Sequence, residues 1–212
     1  MDNQNNVEVE QNDFIFTQQD SSLVFTKALV YEFTTPTESG ELWFYVNKEN
    51  SQILYKPNDD MIDAVVSYPN GIYTIYGRKG DGDFASIHQK IEFVNGEIQN
   101  QNSLQPIEKS MTIDQSHIGM KTIESKGFKI LYEKTNEHET VFITSQIPIN
   151  ARQIYGFAAL EGDAKTPVDF NFLNVLHNHQ LITYIESKYF KIMLLDYGEN
   201  PYFFSLRPYQ NI

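Results

Sequence analysis

The chain has 212 residues, no cysteine, and 16 Lys and Arg against 28 Asp and Glu, for a net charge of −12. That balance excludes a phosphate-backbone binder, which needs a cationic patch to displace counterions, and the missing thiols exclude disulfides, thiolate nucleophiles and Cys-ligated zinc. Hydrophobic residues make up 41% and aromatics 14%, with 13 Tyr and 15 Phe, a composition suited to a β-leaning core in one large domain or two small ones.

Residues 1–20 read as a polar N-terminal arm. Met1 to Asp13 is Asn, Gln and acid with only Val7 and Val9 between, too little apolar surface to fold alone. Val7 and Val9 alternate with Glu8 and Glu10, the pattern of a short added strand with one apolar face, and Phe14 opens the apolar run Phe14-Ile15-Phe16. Val7, Val9 and Phe14 are therefore the expected interaction residues of an arm that packs beyond its own unit, on the other unit or on a neighbouring molecule.

Leu23 to Phe33 is rich in β-branched and aromatic residues and predicts a strand. Thr34 to Gly40 punctuates a connection. Leu42-Trp43-Phe44-Tyr45-Val46 is continuously apolar, which predicts a central strand covered on both faces. The polar Asn47 to Ser51 then turns the chain into Gln52 to Tyr55, a hairpin. Pro57 to Val66 predicts a short helix: Asn58 caps it, Asp59 and Asp60 suit its first turn, and Met61/Val65 and Ile62/Val66 pair at i,i+4. Ile72 to Tyr76 and Phe84 to Val94 are strands joined by the glycine-rich Gly77 to Asp83. From Asn95 the chain is polar to about Lys121, a boundary between units.

Much of this order recurs. At a shift of 101 residues Leu29-Val30-Tyr31-Glu32 falls on Ile130-Leu131-Tyr132-Glu133, and Gln52-Ile53 falls on Gln153-Ile154. A second short helix is expected after Thr166-Pro167, and Leu181 to Ile185 with Phe190 to Leu195 predicts a second late hairpin. Pro201 to Leu206 resumes a strand pattern. The expected fold is thus mainly β, with α+β as the variant. It consists of two tandem related antiparallel units with one short helix each, arranged about a pseudo-twofold axis: β unit 1 over 21–98, a polar linker over 99–122, and β unit 2 over 123–212.

Chemistry-bearing motifs are sparse. His177-Asn178-His179 is the one close histidine pair and offers a transition metal two imidazoles, but nothing fixes a third ligand, and His88, His117 and His138 stand alone. Asn58-Asp59-Asp60 and Asp81-Gly82-Asp83 lack the alternating acids and distal Glu of a calcium loop. No Gly-x-Ser-x-Gly elbow occurs, and the glycine-rich loop leads from strand to strand, where phosphate cradles lead into a helix. No cofactor is expected, nor nucleic acid as a partner.

No apolar run reaches the length of a membrane-spanning helix, and the N-terminus has no basic-then-apolar signal. The expectation is a protein made in the cytosol, or one exported with its signal removed. These features rank a non-catalytic protein–protein interaction or assembly module, with a protein partner or homo-oligomer, first. A carbohydrate- or peptide-binding envelope protein ranks second and an enzyme third.

Overall fold

The computed structural model describes residues 22–49, 51–69, 71–90, 103–113, 122–131, 138–149, 153–154, 180–186 and 190–209. The strands are β1 (Ser22–Thr34), β2 (Ser39–Asn47), β3 (Gln52–Tyr55), β4 (Ile62–Ser67), β5 (Ile72–Arg78), β6 (Phe84–Lys90), β7 (Ser103–Ile113), β8 (Ile123–Leu131), β9 (His138–Thr144), β10 (Leu181–Glu186) and β11 (Lys191–Ser205), followed by a 3-10 turn, Arg207–Tyr209. They form one antiparallel sheet in the order β6-β5-β4-β3-β2-β1-β11-β10-β9-β8-β7. Two meanders meet at its centre, where the longest strands, β1 and β11, pair from Ser22↔Ser205 to Thr34↔Lys191.

An even number of antiparallel steps separates the edge strands β6 and β7, so they run in the same direction at opposite edges. Between Lys90 and Ser103 the chain reaches roughly 45 Å at full extension. Crossing the strand spacings of a flat eleven-stranded sheet alone would require about 48 Å, before any return along the strand axis. The sheet is therefore curled.

Its two faces carry two cores. Strand neighbours point to opposite faces, and Ile53 and Leu54 of β3 lie in different clusters. The first cluster joins Leu29, Tyr31, Phe44, Val46 and Ile53 to Ile123, Val141, Ile143, Leu181, Ile185 and Leu194, closed by Ile147, Ile149 and Ile154 from the segment after β9. The second joins Phe25, Leu54, Ala64, Val66 and Tyr76 to Phe204, Leu206 and Tyr209. Here the 3-10 turn acts as a plug: Tyr209 packs edge-on against Tyr76 and Phe84, and its hydroxyl donates to Asp63 Oδ2 at 2.6 Å. Tyr45 and Tyr202 stack at 4.2 Å across β1, beside Ala28, which is fully buried opposite Tyr45.

Bulges in the centre are held by side chains. β10 slips register between Ile182 and Tyr184. The Tyr31 hydroxyl donates to the Ile182 carbonyl at 2.8 Å, and Thr183 Oγ1 lies 2.7 Å from Ser125 Oγ and 3.2 Å from the Phe142 carbonyl. A buried carbonyl left without such a donor costs about 1–3 kcal/mol, which is why this part of the core is not purely aliphatic. β11 also takes up extra residues where its register with β1 shifts, first near Pro201 and again beside Asp196. Proline cannot donate to a ladder, and a bulge is one of the few places in a sheet that accepts it.

Several sequence expectations need correction. Residues 62–67 are a strand, not the end of a helix. Asp59 Oδ1 accepts the amides of Met61 and Ile62 at 2.6 and 3.1 Å, so the acid closes a turn that launches β4. β4 then finds ladder partners on both sides, in β3 and β5, which outweigh a marginal i,i+4 pattern of β-branched residues. The second expected helix lies outside the described residues. Gln153 and Ile154 are helical, whereas their matched residues Gln52 and Ile53 begin β3. β9 pairs directly with β10, while β3 and β4 stand between β2 and β5, so the two halves do not repeat one element order among the described residues. β7 occupies 103–113, inside the stretch expected to be a linker. The predicted strands Phe190–Leu195 and Pro201–Leu206 merge into the single β11. The central strand is β1, with β2 beside it.

Burial raises several tyrosine pKa values above the ordinary 10.0: Tyr73 and Tyr76 by desolvation, Tyr209 by desolvation and then its bond to Asp63, and Tyr184 up to about 12 by desolvation and its bond to Glu186. A proton held more tightly in the folded than the unfolded chain stabilises the fold fully below the unfolded pKa. That stability is lost as pH rises from about 10 through the raised folded values. Melting temperature should therefore be insensitive to these groups up to pH 9 and fall steeply above pH 10. Ionisation of Tyr73, Tyr76 and Tyr209 should accompany unfolding.

Candidate functional site

The described surface feature with the most built-in capacity for recognition is the β6 edge. Gly82, at φ 88°, and Asp81, whose Oδ1 accepts the Asp83 amide at 3.1 Å, form the turn that returns the chain beside β5. From there β6 pairs with β5 without a register shift, from Arg78↔Phe84 to Ile72↔Lys90. The strand, Phe84-Ala85-Ser86-Ile87-His88-Gln89-Lys90, has no proline, no carboxylate and no bulge. Among the described residues no strand pairs with its outer side.

The opposite edge is built differently. β7 carries Pro106, slips register with β8 between Pro106 and Ser110, and exposes Glu108 and Lys109. Gly127 of β8 sits under this bulge, where a Cβ would come within 2.8 Å of Ile107 Cγ1 and 2.9 Å of the Lys109 carbonyl. Proline, charge and a bulge are the usual devices that stop a free edge from recruiting another strand. β7 has all three, whereas β6 has neither proline nor bulge and its one charged residue is Lys90, at its end.

Residues directly opposite in a ladder share a face. On one face an apolar row runs in register across seven strands, Tyr197-Leu29-Phe44-Tyr55-Val65-Ile75-Ile87. Leu29 at its centre is 0% exposed, Val65 is 8% exposed and Ile87 at the edge is 54% exposed. The row on the other face, Gly198-Ala28-Tyr45-Leu54-Val66-Thr74-His88, ends in a polar pair, Thr74 Oγ1 and His88 Nδ1 at 2.9 Å. One face of the edge is thus closed by a hydrogen bond and the other stops at a bare isoleucine.

Two further features lie near the central strands. Val24 and Phe203 are a cross-strand pair, 41% and 66% exposed. Trp43, Tyr45 and Tyr202 form a partly exposed aromatic row, with Trp43 6.4 Å from Tyr45 and the Lys56 ammonium 5.8 Å from the Tyr202 ring. Lys27 bridges Glu199 at 3.0 Å on the Tyr197 ring, a support for the central ladder and not a site.

The interaction residues expected from sequence, Val7, Val9 and Phe14, and the weak metal candidates His177 and His179, lie outside the described residues. Asp59, Asp81 and Asp83 are used in turns. Among the described residues no three His, Asp or Glu side chains group to hold a metal ion, and no helix is long and apolar enough to cross a membrane. Sequence reasoning missed the β6 edge because edge position is a property of the whole sheet. The available signal was Ile87 flanked by Ser86 and His88 in a strand without acids. No protein-family model matches the chain, and no curated protein matches it by sequence.

Proposed function

We propose that this chain is a non-catalytic interaction or assembly module that recruits a partner by strand addition at β6. The apolar row that runs in register from the core and ends at exposed Ile87, on an edge without proline, bulge or acid, supports this reading. An added strand would satisfy the outer backbone groups of β6 and cover Ile87 in one step. Ile87→Lys places a charge on the contact face and should abolish recruitment while leaving the melting temperature within a few degrees, because the residue is exposed. The check is native co-purification on wild-type and Ile87→Lys chains side by side. A partner retained equally by both would remove β6 from the function.

A tandem relation in corrected form accompanies this reading. Its support is that β1, β2, β5 and β6, and then β8, β9, β10 and β11, follow one another along the chain in two adjacent meanders, with the β3–β4 pair found in the first among the described residues.

The aromatic row favours a second reading, a carbohydrate- or peptide-binding protein. Trp43, Tyr45 and Tyr202 with Lys56 offer ring faces and one ammonium to such a ligand. Trp43 is the only tryptophan in the chain, so its fluorescence reports on that surface alone. Emission unchanged by oligosaccharides or peptides at millimolar concentration would end this alternative.

A further inference from the structure

We infer that the strand β6 recruits is β6 of a second copy of this chain, paired antiparallel about a two-fold axis through Ile87. The inference rests on the strand-addition reading above and adds the identity of the partner. Its first ground is continuity. Val65, Ile75 and Ile87 stand in register on one face of β4, β5 and β6, and a two-fold axis normal to the sheet presents that same face from both copies. The row then continues unbroken as Val65-Ile75-Ile87-Ile87-Ile75-Val65. The exposed isoleucine of each copy meets its own equivalent, a directly opposed apolar pair of the kind that stabilises ladders.

The second ground is self-complementarity. With Ile87 opposite Ile87, position 86 falls opposite 88, 85 opposite 89 and 84 opposite 90, so Ser86 meets His88. No position sets like charges against each other. A chain of net charge −12 repels its own copies over most of its surface, and β6, which has no carboxylate, is where two copies approach with least electrostatic opposition. On the opposite face the His88 imidazole, already 2.9 Å from Thr74 Oγ1, gains the hydroxyl of Ser86 from the second copy as a neighbour. The closed two-fold uses up both β6 edges, and the blunted β7 edges stop the sheet from growing further.

Because the chain has no cysteine, Ile87→Cys introduces a single thiol. Directly opposed strand residues have Cα atoms about 4.5–5.5 Å apart, within disulfide range. Purified full-length Ile87→Cys should form a disulfide-linked dimer under mild oxidation, with Phe203→Cys as the control that does not. By light scattering after size exclusion, the unmodified chain should be dimeric, and Ile87→Lys should raise its dissociation constant by about tenfold or more. A chain monomeric at all concentrations, an Ile87→Cys thiol that stays reduced, or a dimer indifferent to Ile87→Lys would each overturn self-pairing. Hydrogen exchange separates the remaining cases. Protected β6 amides in a monomer would mean that the chain covers its own edge, which ends both readings. Unprotected amides in a monomer that still co-purifies a partner in an Ile87-dependent way would end only the inference that the partner is a second copy.

Discussion

Leu29→Ala is expected to destabilise the fold by about 3–5 kcal/mol, the range for truncating a fully buried leucine whose surroundings cannot collapse. Leu29 is 0% exposed, lies on the central strand, and stands between Tyr197 and Phe44 in the ladder. Those two neighbours are rings held by other contacts. Phe44 packs edge-on to Tyr31 and stacks on Tyr55, and Tyr197 lies under the Lys27 ammonium. Neither can move to fill the space of a lost isobutyl group without breaking those contacts, so the cavity persists. For a chain of this size the cost corresponds to a fall in melting temperature of roughly 6–20 °C, measurable by calorimetry. A fall below 3 °C would show that the two meanders do not share a continuous core through β1.

Gly77→Ala should cost about 1–3 kcal/mol, an overpacking effect. Gly77 faces Ile62 across the ladder where β4 shifts register, and the Arg78 amide donates to the Met61 carbonyl at 2.8 Å. A Cβ at position 77 would collide with that same Met61 carbonyl oxygen, with the Ile62 Cα 3.2 Å away. Backbone, unlike a flexible side-chain end, has no rotamer to retreat into. The shift would therefore pass to the Arg78–Met61 bond and to the Asp59 turn that starts β4. Chemical denaturation should show a lower midpoint at unchanged slope. Gly80→Ala, whose Cβ meets nothing within 4 Å, should change stability little.

Much of the first half was legible in its residues. Gln52–Tyr55 after a polar turn, and the two strands around Gly77 to Asp83, form the hairpins that their punctuation predicts. In the continuous apolar run of β2, Phe44 and Val46 lie in one core and Tyr45 packs against the other, while Trp43, beside Tyr45 on that second face, stays partly exposed. The 58–66 stretch misled because its acids suit a helix start and an Asx turn equally well. Its apolar residues fit either period over so short a span.

The sequence by itself determined that this is a cysteine-free, acidic, aromatic-rich chain whose strands are delimited by local turns, because period-2 burial and turn chemistry act between near neighbours in the chain. Only the tertiary structure decided which strands meet. The β1–β11 seam, the Tyr31 hydroxyl on the Ile182 carbonyl, and the conversion of 62–67 from helix to strand all depend on partners far along the chain. A strand's hydrogen bonds, unlike a helix's, are made to other segments. Which strand is central and which is left at the edge is therefore a property of the assembled sheet, and it is the assembled sheet that leaves Ile87 at its border.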